Sequence, residues 1–516
     1  MTRLEENSLI NNNNNICSDL SRKHFLYKIL NPRSICVFGA NNNLISTMGS
    51  MQLRNIVAGG GFGDKIYPIH PRLDTVQGFK AYQSVLDLPE TPDLAFLILP
   101  TKVVPQVMEE CGQKGIKNLL ITSGGFREIG SNGVELSQQI DEIAKKYNMR
   151  FIGPNCLGIY NGWYGYPEKK DAYFNTLWIY TPHIRGNISI ASQSGTIAAQ
   201  TSWYTNSMGV KVGKAMSVGN EKNIDLVDFL EYFKLDPQTE VIGLYIEEIK
   251  RGKEFIKLAK EITPKKPIVA IYAGGTKAAQ RSIMSHTGSI GGNNKIYDAV
   301  FKETGIISTD SIMDFLYYLR TLSHAQTYGT FPKTRNVGII TDSGGAGSMM
   351  TKTAELYGLN IPQFSKELSS KIKTMIPSTA SALNPIDLTF DVNRYNMFLK
   401  FPRLLIKSGE VDSIIVFGVF DLNEILEVVE KSGFTIDQEL KNSVESLTSA
   451  FFKPILRLMT NKKVPIYFVG PQPYKYSTYQ EYIANDIPIF SMWDHPTKCL
   501  KILCEYSEYR KKFENP

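Results

Sequence analysis

The feature that most constrains this chain is the alternation of short apolar runs with helical stretches. Residues 34–40, 65–70, 94–100, 117–123 and 150–153 have the composition of buried strands, and several close on glycine or polar turn residues. Residues 49–58, 103–111 and 134–147 between them have helical character. Parallel strands need a crossover, so this alternation predicts a parallel, doubly wound sheet. The pattern then recurs. Strands are expected at 187–191, 241–246 and 267–272 with a helix over 225–233, and again at 337–341, 413–419 and 464–469. A chain of 516 residues has room for about three domains. The expected fold class is therefore α/β, in three Rossmann- or flavodoxin-like lobes. The expected boundaries are a disordered tail over 1–25, with asparagine filling 11–15, and lobes over 26–160, 161–330 and 331–516. The aromatic, proline-bearing stretch 160–185 reads as the connection into the second lobe.

Composition narrows the function. Hydrophobic residues at 42% and charged residues at 21% describe an ordinary globular protein. The net charge of +7 is spread out, which suits anionic small molecules and offers no Lys/Arg block for nucleic acid. Cys17, Cys36, Cys111, Cys156, Cys499 and Cys504 lack metal-ligand spacing, so free thiols in a reducing cytoplasm and no metal site are expected. The longest apolar runs, such as 94–100 and 414–420, fall well short of the ~20 residues that span a bilayer. A cytoplasmic protein without a signal peptide or membrane contact is expected.

In a doubly wound sheet, ligands bind beyond the carboxyl ends of the strands. In the first lobe those ends gather Gly39, Ala40, Asn41, Arg72, Lys102, Thr122 and Ser123. The first strand does not lead into the Gly-x-Gly-x-x-Gly turn that a nicotinamide dinucleotide needs, so a nucleotide-like ligand other than NAD is expected. No Gly-x-x-x-x-Gly-Lys-Ser/Thr loop occurs; the nearest stretch, 209–215, is one residue short and ends in alanine. A triphosphate would then be held by another chain.

One histidine stands out. His286 lies in Met284-Ser285-His286-Thr287-Gly288-Ser289-Ile290-Gly291-Gly292, just after the strand at 267–272. Small neighbours leave room around the imidazole, and a neutral ring nitrogen is a nucleophile near pH 7. The alternative is a histidine that caps a helix beginning near Thr287. Ser192-Gln193-Ser194-Gly195-Thr196 is a turn opening a helix, suited either to an anion or to simple capping by Ser194. Glu247 closes the strand at 241–246, where a carboxylate can orient an imidazole. Asp342-Ser343-Gly344-Gly345 has the letters of a serine-protease nucleophile in the wrong setting, so a packing turn or a subunit contact is expected there.

Taken in order, Val37-Phe38-Gly39-Ala40, Gly153-Pro154-Asn155-Cys156-Leu157-Gly158, Ser192-Gln193-Ser194-Gly195, Ser285-His286-Thr287-Gly288-Ser289 and Asn384-Pro385-Ile386-Asp387-Leu388-Thr389 resemble the ADP-forming acyl-CoA synthetases, relatives of succinyl-CoA synthetase. The resemblance covers about residues 30–510 and is to the separate alpha subunit. It implies a CoA-binding domain and two flavodoxin-like ligase domains, with no ATP-grasp domain. It also implies a partner beta subunit carrying ATP-grasp domains, ATP or ADP and Mg, in an α2β2-type assembly. The implied reaction is acid + CoA + ATP = acyl-CoA + ADP + phosphate, through acyl phosphate and phosphohistidine. His286 matches the phosphorylated histidine and Glu247 the carboxylate that orients it. Ser192, Gln193, Ser194 and Gly195 match the helix start that binds phosphate. CoA would lie near Gly39, Ala40, Asn41, Arg72, Lys102, Thr122 and Ser123.

There are departures. Tyr272-Ala273-Gly274-Gly275-Thr276-Lys277 stands where many members have Lys-x-Gly. Ala199 fills the place of a tyrosine found in succinyl-CoA synthetases, which argues against succinate, and 160–185 is longer and more aromatic than usual, as if shaping the acyl pocket. Two other readings are a non-catalytic CoA-binding scaffold subunit and a nucleotide-independent CoA acyltransferase.

Overall fold

The computed structural model describes residues 19–514, apart from 46, 127–130, 288–291, 390–392, 440 and 442–449. The chain is α/β and divides into two compact units: residues up to 205 with 211–315, and 206–210 with 316–516.

The first unit holds two large sheets. In the first, β1 (Ile35–Phe38) pairs in parallel with β2 (Ile66–Ile69). A small antiparallel hairpin of β3 (Thr75–Val76) and β4 (Phe79–Lys80) follows. The sheet is completed by β5 (Leu94–Leu97), β6 (Asn118–Ile121) and β7 (Arg150–Ile152), in the order β2-β1-β5-β6-β7. Every residue of β1 and β5 is buried, as expected for strands covered on both faces, and this is why they read as unbroken apolar runs. The chain then turns at Gly39 with φ +85°, where a Cβ would collide with the Ile98 carbonyl oxygen. The following helix, α1 (Met48–Ala58), comes so close that a Cβ on Gly49 would lie 2.5 Å from the Gly39 oxygen. Only glycine permits this close approach of helix and turn.

The second sheet contains β8 (Ile159–Asn161), β9 (Phe174–Asn175), β10 (Ile188–Ser192), β11 (Val212–Ser217), β12 (Val241–Ile246), β13 (Ile268–Tyr272) and β14 (Ile307–Ser308), ordered β14-β13-β12-β10-β11-β8-β9. Its helices include α2 (Gly195–Met208), α3 (Leu226–Leu235), α4 (Lys277–Thr287) and α5 (Asn294–Thr304). The helix expected to begin at 225 begins one residue later. Asp225 is its N-cap, accepting from the Val227 and Asp228 N–H groups at 2.9 and 3.2 Å.

Two expectations need correction. The stretch 160–185 is no mere connection: β8 and β9 run antiparallel along the edge of the second sheet. Some of its rings fill the core, with Tyr164 and Phe174 against Phe62 at 5.3 and 5.4 Å between ring centroids, while Tyr166 and Tyr180 are exposed. Gln52 of α1 donates to the Leu157 and Thr176 carbonyls at 3.0 and 2.8 Å, fastening this edge to the first sheet. The start of the chain also differs. Residues 1–18 lie outside the described residues, but 19–23 are helical, Ser21 is buried, and His24 accepts the Leu26 N–H at 3.3 Å to cap the next helix.

The second unit has one parallel sheet: β15 (Val337–Thr341), β16 (Ile386–Asp387), β17 (Ser413–Phe417), β18 (Ile466–Val469) and β19 (Ile489–Phe490), ordered β16-β15-β17-β18-β19. Helix α6 (Gly344–Leu356) follows β15. Among the described residues, no helix is long and apolar enough to cross a membrane, and no group of His, Cys, Asp or Glu could hold a metal ion. Cys36, Cys111, Cys156, Cys499 and Cys504 are buried free thiols; Cys17 lies outside the described residues.

Candidate active site

Numbered within each sheet, the five successive parallel strands stand in the order 2-1-3-4-5 in all three sheets. Such a sheet parts its crossovers between strands one and three, and ligands bind in that crevice. In the second sheet the crevice lies between β10 and β12. The turn Gln193-Ser194 leaves β10, and Glu247-Glu248 leaves β12. Glu247 and the Ser192–Gly195 turn, each expected at a strand end, therefore stand on the two lips of one crevice.

Their coupling runs through Gln193. Its Oε1 accepts the Glu247 N–H and, at 3.0 Å, the Glu248 N–H, while its Nε2 donates to the Glu248 carbonyl at 2.7 Å. The Gln193 backbone N–H is engaged with the Tyr245 carbonyl at 3.2 Å. Gln193, expected to bind phosphate, instead spends its donors on the Tyr245 and Glu248 carbonyls and the Glu221 carboxyl group, while its Oε1 holds the Glu247 N–H. Glu247 is 4% exposed. Its charge is the second influence, after burial, that pushes the neighbouring Tyr245 phenol up to about 12. Ser192 is also committed internally, donating from Oγ to the Ser194 carbonyl at 2.7 Å. Ser194 Oγ accepts the Ile197 N–H at 3.4 Å, a weak N-cap, so capping and anion binding can share this helix start. The N–H groups of the first turn of α2 have no acceptor within the helix, which makes that end electropositive.

The Gly153–Gly158 motif forms the floor. The Leu157 N–H donates to Ser217 Oγ at 2.8 Å and Asn155 Nδ2 to Asn220 Oδ1 at 3.2 Å. A Cβ on Gly195 would lie 2.5 Å from Leu157 Cγ, so the helix start sits directly on this motif. Glu221, which sequence reasoning missed, follows Asn220. It is buried, and burial, partly offset by Lys250, raises its carboxyl to about 8. Nothing in the sequence marks it beyond an acidic residue after a strand-end glycine.

His286 lies in the last turn of α4, so the helix reaches Thr287 rather than beginning there, and the expected cap at a helix start is overturned. The side chains of 285–287 and residues 288–291 lie outside those described. The described end of the loop is anchored at Gly292, whose carbonyl accepts from Tyr272 Oη and Gln280 Nε2 at 2.9 Å each. Tyr272 stacks on Tyr297, with centroids 3.7 Å apart and planes 12° from parallel. Tyr297 Oη accepts the Ile249 N–H at 3.2 Å, tying this loop to the one that bears Glu247.

The crevice of the first sheet is a cavity of about 270 Å³ lined by Gly39, Ala40, Asn41, His70, Leu99 and Glu110, among others. Of the expected contacts, it brings together Gly39, Ala40 and Asn41. Among the described residues, Arg72, Lys102, Thr122 and Ser123 do not line it. The Thr122 and Ser123 hydroxyls donate to the Leu97 and Leu99 carbonyls at 3.0 and 2.6 Å, and Arg72 and Lys102 are exposed beside it.

Comparisons with known proteins agree with this layout. Residues 33–162 match the CoA binding domain family, and residues 185–322 match the succinyl-CoA ligase like flavodoxin domain family. The acetate–CoA ligase (ADP-forming) II alpha subunit of Pyrococcus furiosus is 35% identical over 389 residues, 75% of this chain and 81% of its own. The acetate–CoA ligase (ADP-forming) of Methanocaldococcus jannaschii is 37% identical over 370 residues, 72% of this chain but 50% of its own length. A solved acetyl-coenzyme A synthetase 1 of Ca. Korarchaeum cryptofilum, in complex with phosphate and ADP, superposes with a TM-score of 0.77 at 28% identity, over 94% of this chain and 97% of that one.

Proposed function

The chain belongs to the ADP-forming acyl-CoA synthetases, a family of acid–thiol ligases, and we propose that it works as the alpha subunit, passing phosphate between acyl phosphate and ADP on His286. The observation that carries this is the Gln193 clamp, which holds Glu247 on the lip of the crevice opposite the start of α2.

In the direction of ATP synthesis, an oxygen of phosphate attacks the acyl carbon of the thioester. The C–S bond breaks, CoA leaves as its thiolate, and acyl phosphate remains. A nitrogen of the His286 imidazole then attacks phosphorus, and the P–O bond to the acyl group breaks to release the carboxylate. Transfer from that nitrogen to ADP gives ATP and restores the imidazole. Every step is reversible. Glu247 holds the imidazole in the tautomer that presents its free nitrogen and offsets the charge it acquires. The start of α2, at Ser194 and Gly195 just after Ser192 of β10, offers N–H groups to the phosphoryl oxygens, the positioning and charge stabilisation that phosphoryl transfer mostly requires.

CoA lies in the first-sheet crevice at Gly39, Ala40 and Asn41, with Arg72 and Lys102 beside it to meet its phosphates. A second chain with ATP-grasp domains holds Mg·ATP in an α2β2-type assembly. Two points support this: the P. furiosus relative is named a subunit, and this chain spans half of the M. jannaschii one. The test is co-expression with a candidate beta subunit and a screen of carboxylic acids for CoA- and ATP-dependent phosphate release. The chain alone should bind CoA but not NAD by calorimetry and make no acyl-CoA. Robust ATP-dependent synthesis by the single chain would overturn the division of labour.

A further inference from the structure

Glu221 is 5% exposed, and its backbone holds φ +51°, a left-handed setting that is uncommon and costly for a non-glycine residue. The loop around it is fastened on every side. Lys250 Nζ donates to the Asn220 and Glu221 carbonyls at 2.7 Å each. The Leu226 N–H donates to Glu221 Oε1 at 2.8 Å, and the Gln193 side chain makes a further hydrogen bond to the same carboxyl group. Gln193 in turn grips the backbone of Glu247 and Glu248. The loops after β11, β10 and β12 are thus wired in series. A buried carboxyl is costly unless its hydrogen bonds are met, and here those bonds end on the loop that carries the orienting carboxylate.

We infer that Glu221 is a positioning residue: its carboxyl group fixes the Gln193 amide, and that amide fixes the backbone of Glu247. Its consequence for turnover rests on the phosphohistidine reading above; its consequence for the loop does not.

The carboxyl also makes this wiring sensitive to pH. Burial is the largest influence on it. Lys250 opposes burial, Asp225 adds to it, and the hydrogen bonds from Gln193 and Leu226 oppose it. Of the other groups around it, Tyr297 faces it from α5, and Arg251 pairs with Asp225. The folded value of about 8 lies above the ordinary 4.5, so the stability contribution is fully present below about 4.5 and lost as pH rises towards 8. Opening the loop lets this carboxyl reach solvent and ionise, so opening becomes easier as pH rises from about 4.5 towards 8.

The test uses hydrogen exchange on the full chain and turnover of the assembled complex. In Glu221→Ala, the Glu247 and Glu248 amides should exchange at least about tenfold faster. The kcat should fall about 10- to 100-fold while KM for CoA stays within about twofold. Glu221→Gln keeps an oxygen for the Leu226 N–H and should recover most of both losses. In the native chain, protection of the two amides, corrected for intrinsic exchange, should fall as pH rises from about 5 towards 8 and level off above it; in Glu221→Gln it should not. Unchanged exchange in Glu221→Ala, or the same pH-dependent loss in Glu221→Gln, would overturn the inference. Should Glu221→Ala not fold, the pH comparison with Glu221→Gln decides alone. A native complex that makes no acyl-CoA while exchange responds as expected would sink the ligase reading and leave the positioning role standing.

Discussion

The second and third sheets share the strand order 2-1-3-4-5, yet their crevices are built in opposite senses. In the second, the carboxylate, Glu247, follows strand three, and an amide from the loop after strand one clamps its backbone. In the third, the carboxylate, Asp342, follows strand one and rests over Gly418 of the loop after strand three. Gly418 has φ +127°, and a Cβ there would lie 2.6 Å from Asp342 Oδ2. An amide clamp exists in the third sheet too, but it serves the frame. Asn384 Oδ1 accepts the Ile339 N–H at 3.0 Å, and Nδ2 donates to the Val337 and Pro362 carbonyls at 2.9 and 3.0 Å. One topology therefore supplies a crevice twice, and the side-chain wiring decides what it does.

The largest effect should come from His286. If the phosphoryl group travels on the second sheet, His286→Ala lowers turnover by at least about a thousandfold and removes the acid-labile, base-stable label that the complex takes from labelled ATP. Glu247→Gln keeps some label but slows its turnover about 10- to 100-fold, because orientation is lost and the nucleophile remains. Full labelling of the His286→Ala chain would move the phosphoryl site elsewhere and break the comparison.

The two amide clamps sharpen it. Gln193→Ala leaves the Glu247 and Glu248 N–H groups without their partner and should cost about 2–4 kcal/mol in denaturant unfolding. It should also cost about 10- to 100-fold in kcat, because the Glu247 backbone is released. Asn384→Ala should cost a similar ~1–3 kcal/mol, with turnover per folded molecule close to native. Equal kinetic losses in both variants would show that the third crevice takes part in the chemistry.

Much of this is legible in the sequence. Strands buried on both faces leave unbroken apolar runs, so β1, β5, β10, β12, β13, β15 and β17 announced themselves, and the small-residue turns at their ends marked the crevices. β8 and β9 did not, since strands of two or three aromatic-rich residues show no period. The reach of α4 to Thr287 was hidden because the Ser-, Thr- and Gly-rich residues there suit a loop as well as a last helical turn. Gln193 reads as a phosphate ligand because it lies in the turn that opens a helix, and only tertiary contacts say that its side chain grips 247–248. Thr122 and Ser123 fall outside the cavity for a geometric reason. They follow β6, one strand away from the crevice between β1 and β5, and their hydroxyls turn back to satisfy carbonyls.

The smallest expected effect tests the third crevice itself. Burial raises the Asp342 carboxyl above the ordinary carboxylate range, opposed by attraction to Arg394 and reinforced by the negative charge of Asp387. A raised folded value means that its contribution is complete below the ordinary value of 3.8 and is lost as pH rises through the folded one. Asn cannot ionise, so Asp342→Asn should match the native chain near pH 4. It should become more stable than native as pH approaches 7, by no more than about 1 kcal/mol, because the site is only partly buried. Thermal unfolding of both chains across this range measures the difference. If Asp342 is only a packing carboxylate, the gap opens with pH and turnover of the complex stays near native. If turnover instead falls tenfold or more with stability flat across pH, the Asp342 charge is being used on a ligand. The third crevice would then be a second working site rather than the inverted, silent copy of the first.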